Sequence, residues 1–185
     1  MTPEGVVLGE TVVLCAGPWS GELGALLGRP IPVGPAKGQL IASELPSLPL
    51  HHVVYTKEGY LVPRLRGELI AGSTVEFVGF DKRVTFAGLK KLVELTLDLL
   101  PGLKEQPFAR AWAGLRPYAP DALPIIGPIP GLEGVFVATG HFRNGILLGP
   151  ITGRLIRELI LGEALSLPLE AFSPTRFDGK GQENR

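Results

Sequence analysis

Two short apolar runs, near opposite ends of the chain, share one pattern. Residues 10–16, Glu-Thr-Val-Val-Leu-Cys-Ala, and residues 134–139, Gly-Val-Phe-Val-Ala-Thr, are too short for helices and rich in β-branched side chains, so each predicts a buried strand. Each is followed by a glycine turn and then by apolar positions at helical spacing. After Gly17-Pro18 the spacing of Trp19, Leu23, Leu26 and Leu27 predicts a helix over residues 18–27, ended by Gly28-Arg29-Pro30. After Gly140-His-Phe-Arg-Asn-Gly145 a longer helix is predicted over residues 146–161. Strand, glycine turn and helix, used twice, are what a layered α/β sheet requires.

Between these ends the texture shifts to short alternating segments. Residues 37–42, 53–55, 59–64 and 68–73 predict strands of an antiparallel meander, the last two joined by Leu65-Arg66-Gly67. Thr85 is placed to cap a helix running to about Leu100, with Leu89, Leu92, Val93, Thr96, Leu99 and Leu100 on the face that would lie on the meander. Residues 108–117 look extended, and Pro120-Asp-Ala-Leu-Pro124 predicts a rigid turn before Ile125-Ile126-Gly127. Residues 173–185 are polar and aperiodic and predict a disordered tail. The fold class expected is mixed α/β, or α+β, with no internal repeats.

Composition narrows the function classes. At 185 residues the chain is long enough to bury about two-thirds of its unfolded surface. With 45% hydrophobic and 19% charged residues it does not have the composition of a disordered protein. Eighteen basic residues balance 18 acidic ones and no basic cluster is interleaved with aromatics, which argues against nucleic acid. One cysteine, Cys15, and three histidines make no zinc signature; His51-His52 lack a matching carboxylate or thiolate, and no metal is expected. Cys15, inside a predicted strand, reads as an inert core thiol. Met1-Thr-Pro-Glu4 lacks the features of a signal peptide, and no apolar run reaches the length of about 18 residues that spans a membrane, so a cytoplasmic protein is expected.

The chemistry of the chain centres on the second glycine turn. The first turn of a helix leaves backbone N–H groups unpaired and carries partial positive charge, so such a turn can hold an electron-rich group. A reduced flavin, whose negative charge gathers about N1 and the C2 carbonyl, is one. A glycine turn opening a helix is otherwise only a tight corner.

Further detail favours the flavin. Gly140-His-Phe-Arg-Asn-Gly145 with the following Ile-Leu-Leu-Gly-Pro resembles the carboxyl-terminal flavin motif of the D-amino acid oxidase and glycine oxidase family, especially the glycine oxidases of thiamine biosynthesis. Trp112-Ala-Gly-Leu-Arg-Pro117, then Asp121-Ala-Leu-Pro-Ile-Ile-Gly127, is similar to the family's segment for substrate carboxylate and flavin. Ala16-Gly-Pro-Trp-Ser20 resembles the turn after the strand that re-enters the flavin domain, so the likeness covers about residues 5–177. It implies a partial FAD-binding domain at residues 1–28, a substrate-binding domain at 29–112 with an antiparallel or mixed sheet and a covering helix, and a return to the FAD-binding domain at 113–172.

Carried over residue by residue, the resemblance gives Arg116 the substrate carboxylate, a task suited to a planar guanidinium with two parallel donors. Without the resemblance an arginine there would read as half of a surface ion pair. Tyr60, in Glu58-Gly-Tyr-Leu-Val-Pro63, would turn its hydroxyl to the substrate, the plainer alternative being a half-buried sheet tyrosine. Arg143 would meet flavin or substrate. Gly17, Trp19, Gly140, His141, Asn144, Gly145 and Ile146 would line the FAD, with Gly145 and Ile146 offering N–H groups to its pyrimidine edge and Gly140 permitting close approach. His141 is expected in a structural turn, not as an acid or base.

The implied activity is FAD-dependent oxidation of glycine or a related small amino acid or amine to an imine, which water converts to a 2-oxo acid and ammonia, with oxygen as acceptor. No side-chain base is obligatory, and the flavin carries the chemistry. The sequence holds no Gly-x-Gly-x-x-Gly after a strand, so the amino-terminal dinucleotide-binding segment is missing. The chain is therefore expected to be a carboxyl-terminal fragment, one half of a split protein or a misassigned start. It would be inactive alone and would expose apolar surface to a missing amino-terminal half or a second copy. A non-catalytic binding or assembly module and a D-amino acid dehydrogenase-type enzyme are the competing readings.

Overall fold

The structure, a computed structural model, describes residues 5–47, 49–65 and 67–178. The expectations for residues 1–4, for Arg66 in the hairpin connection and for residues 179–185 of the tail fall outside that description. In chain order the elements are β1 (Val12–Leu14), α1 (Ser20–Leu26), β2 (Gly34–Glu44), β3 (Val54–Tyr55), β4 (Tyr60–Pro63), β5 (Glu68–Gly72) and α2 (Phe86–Leu99). There follow β6 (Arg110–Tyr118), β7 (Ile125–Pro128), β8 (Val135–Thr139) and α3 (Gly145–Leu161). By packing they form two compact units, Met1–Pro35 with Arg116–Arg185, and Ala36–Leu115.

The first unit is built on a three-stranded sheet in the order β1-β8-β7, with β1 parallel and β7 antiparallel to β8. Strand periodicity sends alternate residues to opposite faces. Leu14, Ile125 and Val137 join Ile31, Ala119 and Ile129 on one side. Val13, Ile126, Phe136 and Ala138 meet Leu155 and Ile156 of α3 and Leu169 on the other. Gly162, left-handed at φ 64°, ends α3.

Two expectations need correction here. The first strand is not buried: Val12 is 54% exposed and Cys15 is exposed, because β1 has a sheet partner on one side only among the described residues. Partial burial nevertheless pushes the Cys15 thiol above its ordinary pKa. Trp19, Leu23, Leu26 and Leu27 are exposed as well; α1 buries its small residues, Ser20 and Gly24. The second correction concerns the tail. Residues 174–177 form a 3-10 turn whose Arg176 donates to both carboxylate oxygens of Asp121 and to the carbonyls of Leu123, Phe172 and Ser173. A polar stretch without periodicity is here held by hydrogen bonds, with Phe177 packed against the Ile31–Ile125–Val137 cluster.

The second unit carries most of a five-stranded sheet of order β3-β4-β5-β2-β6. Thr85 caps α2 by accepting from the Gly88 N–H at 3.2 Å. Leu92 of α2 packs with Ile41, Leu61, Leu69 and Ala71 of the sheet, so the helix covers the meander as its pattern predicts. A polar network absent from the sequence reading sits at the start of that helix. Lys37 is buried and pairs with Glu76 at 2.8 Å, while the Gln39 side chain donates to Glu76 and to the Thr85 hydroxyl and accepts from the Thr85 N–H. Burial pushes Glu76 upward, but hydrogen bonds from Lys37, Thr74 and Gln39 outweigh it and hold its carboxyl below the usual range.

Candidate functional site

Three chain turns of the first unit meet at one end of its sheet. Because β1 and β8 run parallel, both deliver their following turns to the same edge. Thr139, the last residue of β8, donates its hydroxyl to the Gly17 carbonyl at 2.9 Å and accepts from the Ser20 hydroxyl at 3.2 Å. Ser20 and Thr139 are 0% and 1% exposed, so the two turns are joined by hydrogen bonds out of reach of water. The third turn arrives from β6. The Phe142 N–H donates to the Pro117 carbonyl at 2.9 Å, and Tyr118 bridges His141.

Gly140 lies at the centre of this junction. Its φ of +76° is left-handed, and a Cβ there would stand 3.3 Å from both the Leu123 carbonyl oxygen and the Ile125 nitrogen. The chain's own 123–125 backbone crosses closely at this glycine. Asp121 shapes that backbone by accepting from the Leu123 N–H, with Ala122 at φ 59°. The hydrogen bond from Arg176 holds the Asp121 carboxyl below the usual range.

His141 is occupied structurally. Its Nε2 lies 2.9 Å from the Thr152 hydroxyl on α3, and burial pushes its pKa below the ordinary histidine value. The side chain thus ties the turn to the helix. At the head of α3 the first intrahelical bond runs from Leu148 N–H to the Asn144 carbonyl at 2.8 Å, so the N–H groups of Gly145, Ile146 and Leu147 have no acceptor within the helix. Arg143, Asn144, Gly145, Ile146 and Leu147 are all exposed, Ile146 at 99%.

The two arginines singled out by sequence lie beside the same ring. The Arg116 Cζ is 6.0 Å and the Arg143 Cζ 5.7 Å from the centroid of Phe142, which places the two charges within about 12 Å of one another. Phe142 itself is at φ 49° and meets Tyr118 edge-on, ring centroids 5.2 Å apart. Gly17, at φ +56°, has open space where a Cβ would stand, and Trp19 beside it is 41% exposed. Tyr60 belongs to the other unit. On β4 it is half-buried, stacked on Tyr55 at 6.2 Å, and its ring crosses Gly72, where a Cβ would come within 3.0 Å.

Several residues of the junction were not singled out from the sequence: Ser20, Thr139, Phe142, Tyr118 and Thr152. Ser20 and Thr139 carried a signal, each being a hydroxyl beside a glycine turn, but nothing in their spacing pairs them across 119 residues. Among the described residues there is no group of three His, Cys, Asp or Glu side chains able to hold a metal ion, and no helix long and apolar enough to cross a membrane.

A parallel strand pair whose glycine turns open helices beyond the carboxyl ends of the strands defines an α/β protein. The chain belongs to the FAD-dependent oxidoreductase (DAO) family, which residues 2–159 match. It is 40% identical to a glycine oxidase of Pseudomonas aeruginosa over 173 residues, covering 94% of this chain and 48% of that protein. The crystal structure of glycine oxidase from Geobacillus kaustophilus superposes with a TM-score of 0.86 at 36% identity, over 94% of this chain and 47% of the other. That of iminodiacetate oxidase from Chelativorans sp. BNC1 gives 0.86 at 30% identity, over 93% and 48%. The chain spans about half the length of the curated relatives it matches.

The junction fits part of a flavin. N–H groups at the head of α3 without an intrahelical acceptor, the left-handed Gly17 with open space beside it and the exposed Trp19 are chemically suited to an electron-rich, flat group.

Proposed function

We propose that this chain supplies the substrate-binding part and the flavin-ring side of an FAD-dependent oxidase acting on glycine or a related small amino acid or amine. The observation that carries the reading is the meeting of Arg116, the Gly140–Gly145 turn and the head of α3 at one end of a single unit. When bound, the flavin accepts the two electrons and hydrogen from the carbon bearing the amine and passes the electrons to oxygen. Gly145 and Ile146 would offer their N–H groups to the flavin where negative charge collects, and Gly17 and Trp19 would border it.

Arg116 takes the substrate carboxylate in a bidentate pair, which fixes the neighbouring carbon and lowers the entropic part of the barrier. Arg143, over the same Phe142 ring, adds positive charge. His141 is engaged with Thr152, which is consistent with a reaction that needs an unprotonated amine but no protein base. The matched names, glycine oxidase and iminodiacetate oxidase, share a carboxylate one carbon from an amine, and this supports the substrate class.

The test is expression of this chain together with the half of the family's length that it does not span, followed by flavin absorbance and peroxide formation with glycine and sarcosine in air. Turnover with peroxide is expected. Turnover without peroxide would indicate another electron acceptor, and absence of flavin and turnover would leave a binding module. Arg116→Ala should raise KM roughly 10- to 100-fold with flavin retained, the loss of charge-assisted hydrogen bonds to a carboxylate. An unchanged KM removes Arg116 from the site.

A further inference from the structure

Phe142 is the odd residue of the junction. It is one of two described non-glycine residues with positive φ, at 49°, a conformation that costs a bulky side chain stability and that glycine or asparagine adopts more readily. The sequence nevertheless keeps an aromatic ring here. Three features fix that ring. The Phe142 N–H is held by the Pro117 carbonyl at 2.9 Å, so the residue is pinned to the end of β6 one position beyond Arg116. Tyr118, the next residue on that strand, meets the ring edge-on at 5.2 Å with the planes 77° apart. The left-handed backbone then sets the direction in which the side chain leaves the turn.

The fixed ring has a guanidinium on each of two approaches, Arg116 at 6.0 Å and Arg143 at 5.7 Å. Both distances are within the range at which a cation is attracted by an aromatic face. A cation drawn to the ring loses part of its freedom, and here one ring serves two cations. Both arginine side chains are long and flexible, and a carboxylate needs the planar fork of Arg116 held in one orientation.

We propose that Phe142 is a positioning residue: its ring is the shelf that orients the Arg116 and Arg143 guanidinium groups, and it thereby sets how tightly the site holds a substrate carboxylate. This rests on the reading that Arg116 receives that carboxylate. Phe142 itself touches neither substrate nor flavin in this scheme. It acts through the cations, by the negative face of its ring.

The ring's electrostatics separate this role from simple packing. Site-specific replacement of Phe142 by mono-, di- and trifluorophenylalanine keeps shape and volume while progressively weakening the ring's attraction for a cation. In the flavin-loaded oxidase, made from this chain with the half of the family's length it does not span, KM for glycine should rise stepwise, by about three- to tenfold at the trifluoro form, with kcat within about twofold. Phe142→Leu should match the trifluoro form and Phe142→Tyr should restore the parent value. KM for a primary amine without a carboxylate should not move across the series. A flat KM for glycine along the series, in an enzyme where Arg116→Ala does raise KM, overturns the role of Phe142 alone. If Arg116→Ala is itself without effect, the failure lies in the carboxylate assignment. A rise shared equally by the carboxylate-free amine would mean that the ring shapes the pocket, and would also overturn the proposal.

Discussion

The hydroxyl chain between the two glycine turns gives a stability prediction that can be worked through. Thr139→Val keeps the shape of the side chain and removes one oxygen. That oxygen donates to the Gly17 carbonyl at 2.9 Å and accepts from Ser20 at 3.2 Å, in a place where both side chains are almost wholly shielded from water. The carbonyl is only partly deprived, because it also accepts from the Ser20 backbone N–H at the end of the first 3-10 turn. Ser20 fares worse. Its hydroxyl loses the acceptor that the structure provides, and an orphaned buried donor costs about 1–3 kcal/mol. Removal of the hydroxyl that Thr139 itself had to bury returns part of this. The net cost is therefore about 2 kcal/mol, or a fall in Tm of about 4–8 °C for a chain of this size.

Thermal or urea unfolding of Thr139→Val, Ser20→Ala and the double variant measures this directly. If the two hydroxyls act on each other, the double variant costs less than the sum of the singles, with a coupling of about 1 kcal/mol. Strict additivity, or a Thr139→Val variant as stable as the parent, would refute the claim that this hydrogen bond joins the turns.

Two further outcomes concern pH and the carboxyl-terminal turn. Burial lowers the His141 pKa in the folded chain, so the unfolded chain binds the extra proton first as pH falls. Its stability contribution is complete above the ordinary value of about 6.5 and declines as pH drops from there toward the depressed folded value. His141→Gln should flatten that part of a Tm-against-pH curve, and an unchanged slope would assign it to another group. Arg176→Ala removes hydrogen bonds to Asp121 and to three carbonyls and should cost about 2–3 kcal/mol in urea unfolding. A variant as stable as the parent would mean that the turn is an ornament on the fold.

The regular elements were legible because period and punctuation agree in them. Val12–Leu14 and Val135–Ala138 are apolar at every position, Thr85 caps a helix with apolar residues three and four apart, and Gly162 stops another. Burial was less legible than type. An apolar run reads as core, yet Val12, Cys15 and the face of α1 are exposed, since burial depends on what stands opposite and a strand's letters do not say how many neighbours it has. The tail was misread for the converse reason: Arg176 is held by one carboxylate and a set of carbonyls, and hydrogen bonds to backbone leave no pattern in sequence.

At the site the limit was of another kind. Glycines that open helices, and an arginine before a proline, are local features, and Gly17, Gly140, Gly145 and Arg116 could be picked out one by one. What joins them is non-local. Ser20 reaches Thr139, and Phe142 reaches back to Pro117 and Tyr118, across 119 residues in the first case and about 25 in the second. Gly140 shows the difference most clearly. Its need for glycine was visible, and the structure adds a reason that spacing does not show, crowding by the 123–125 backbone. A glycine turn that opens a helix can therefore do two separable jobs. One is to leave the chain room to cross itself, as at Gly140, and the other, proposed above for the N–H groups of Gly145 and Ile146, is to face what the turn binds.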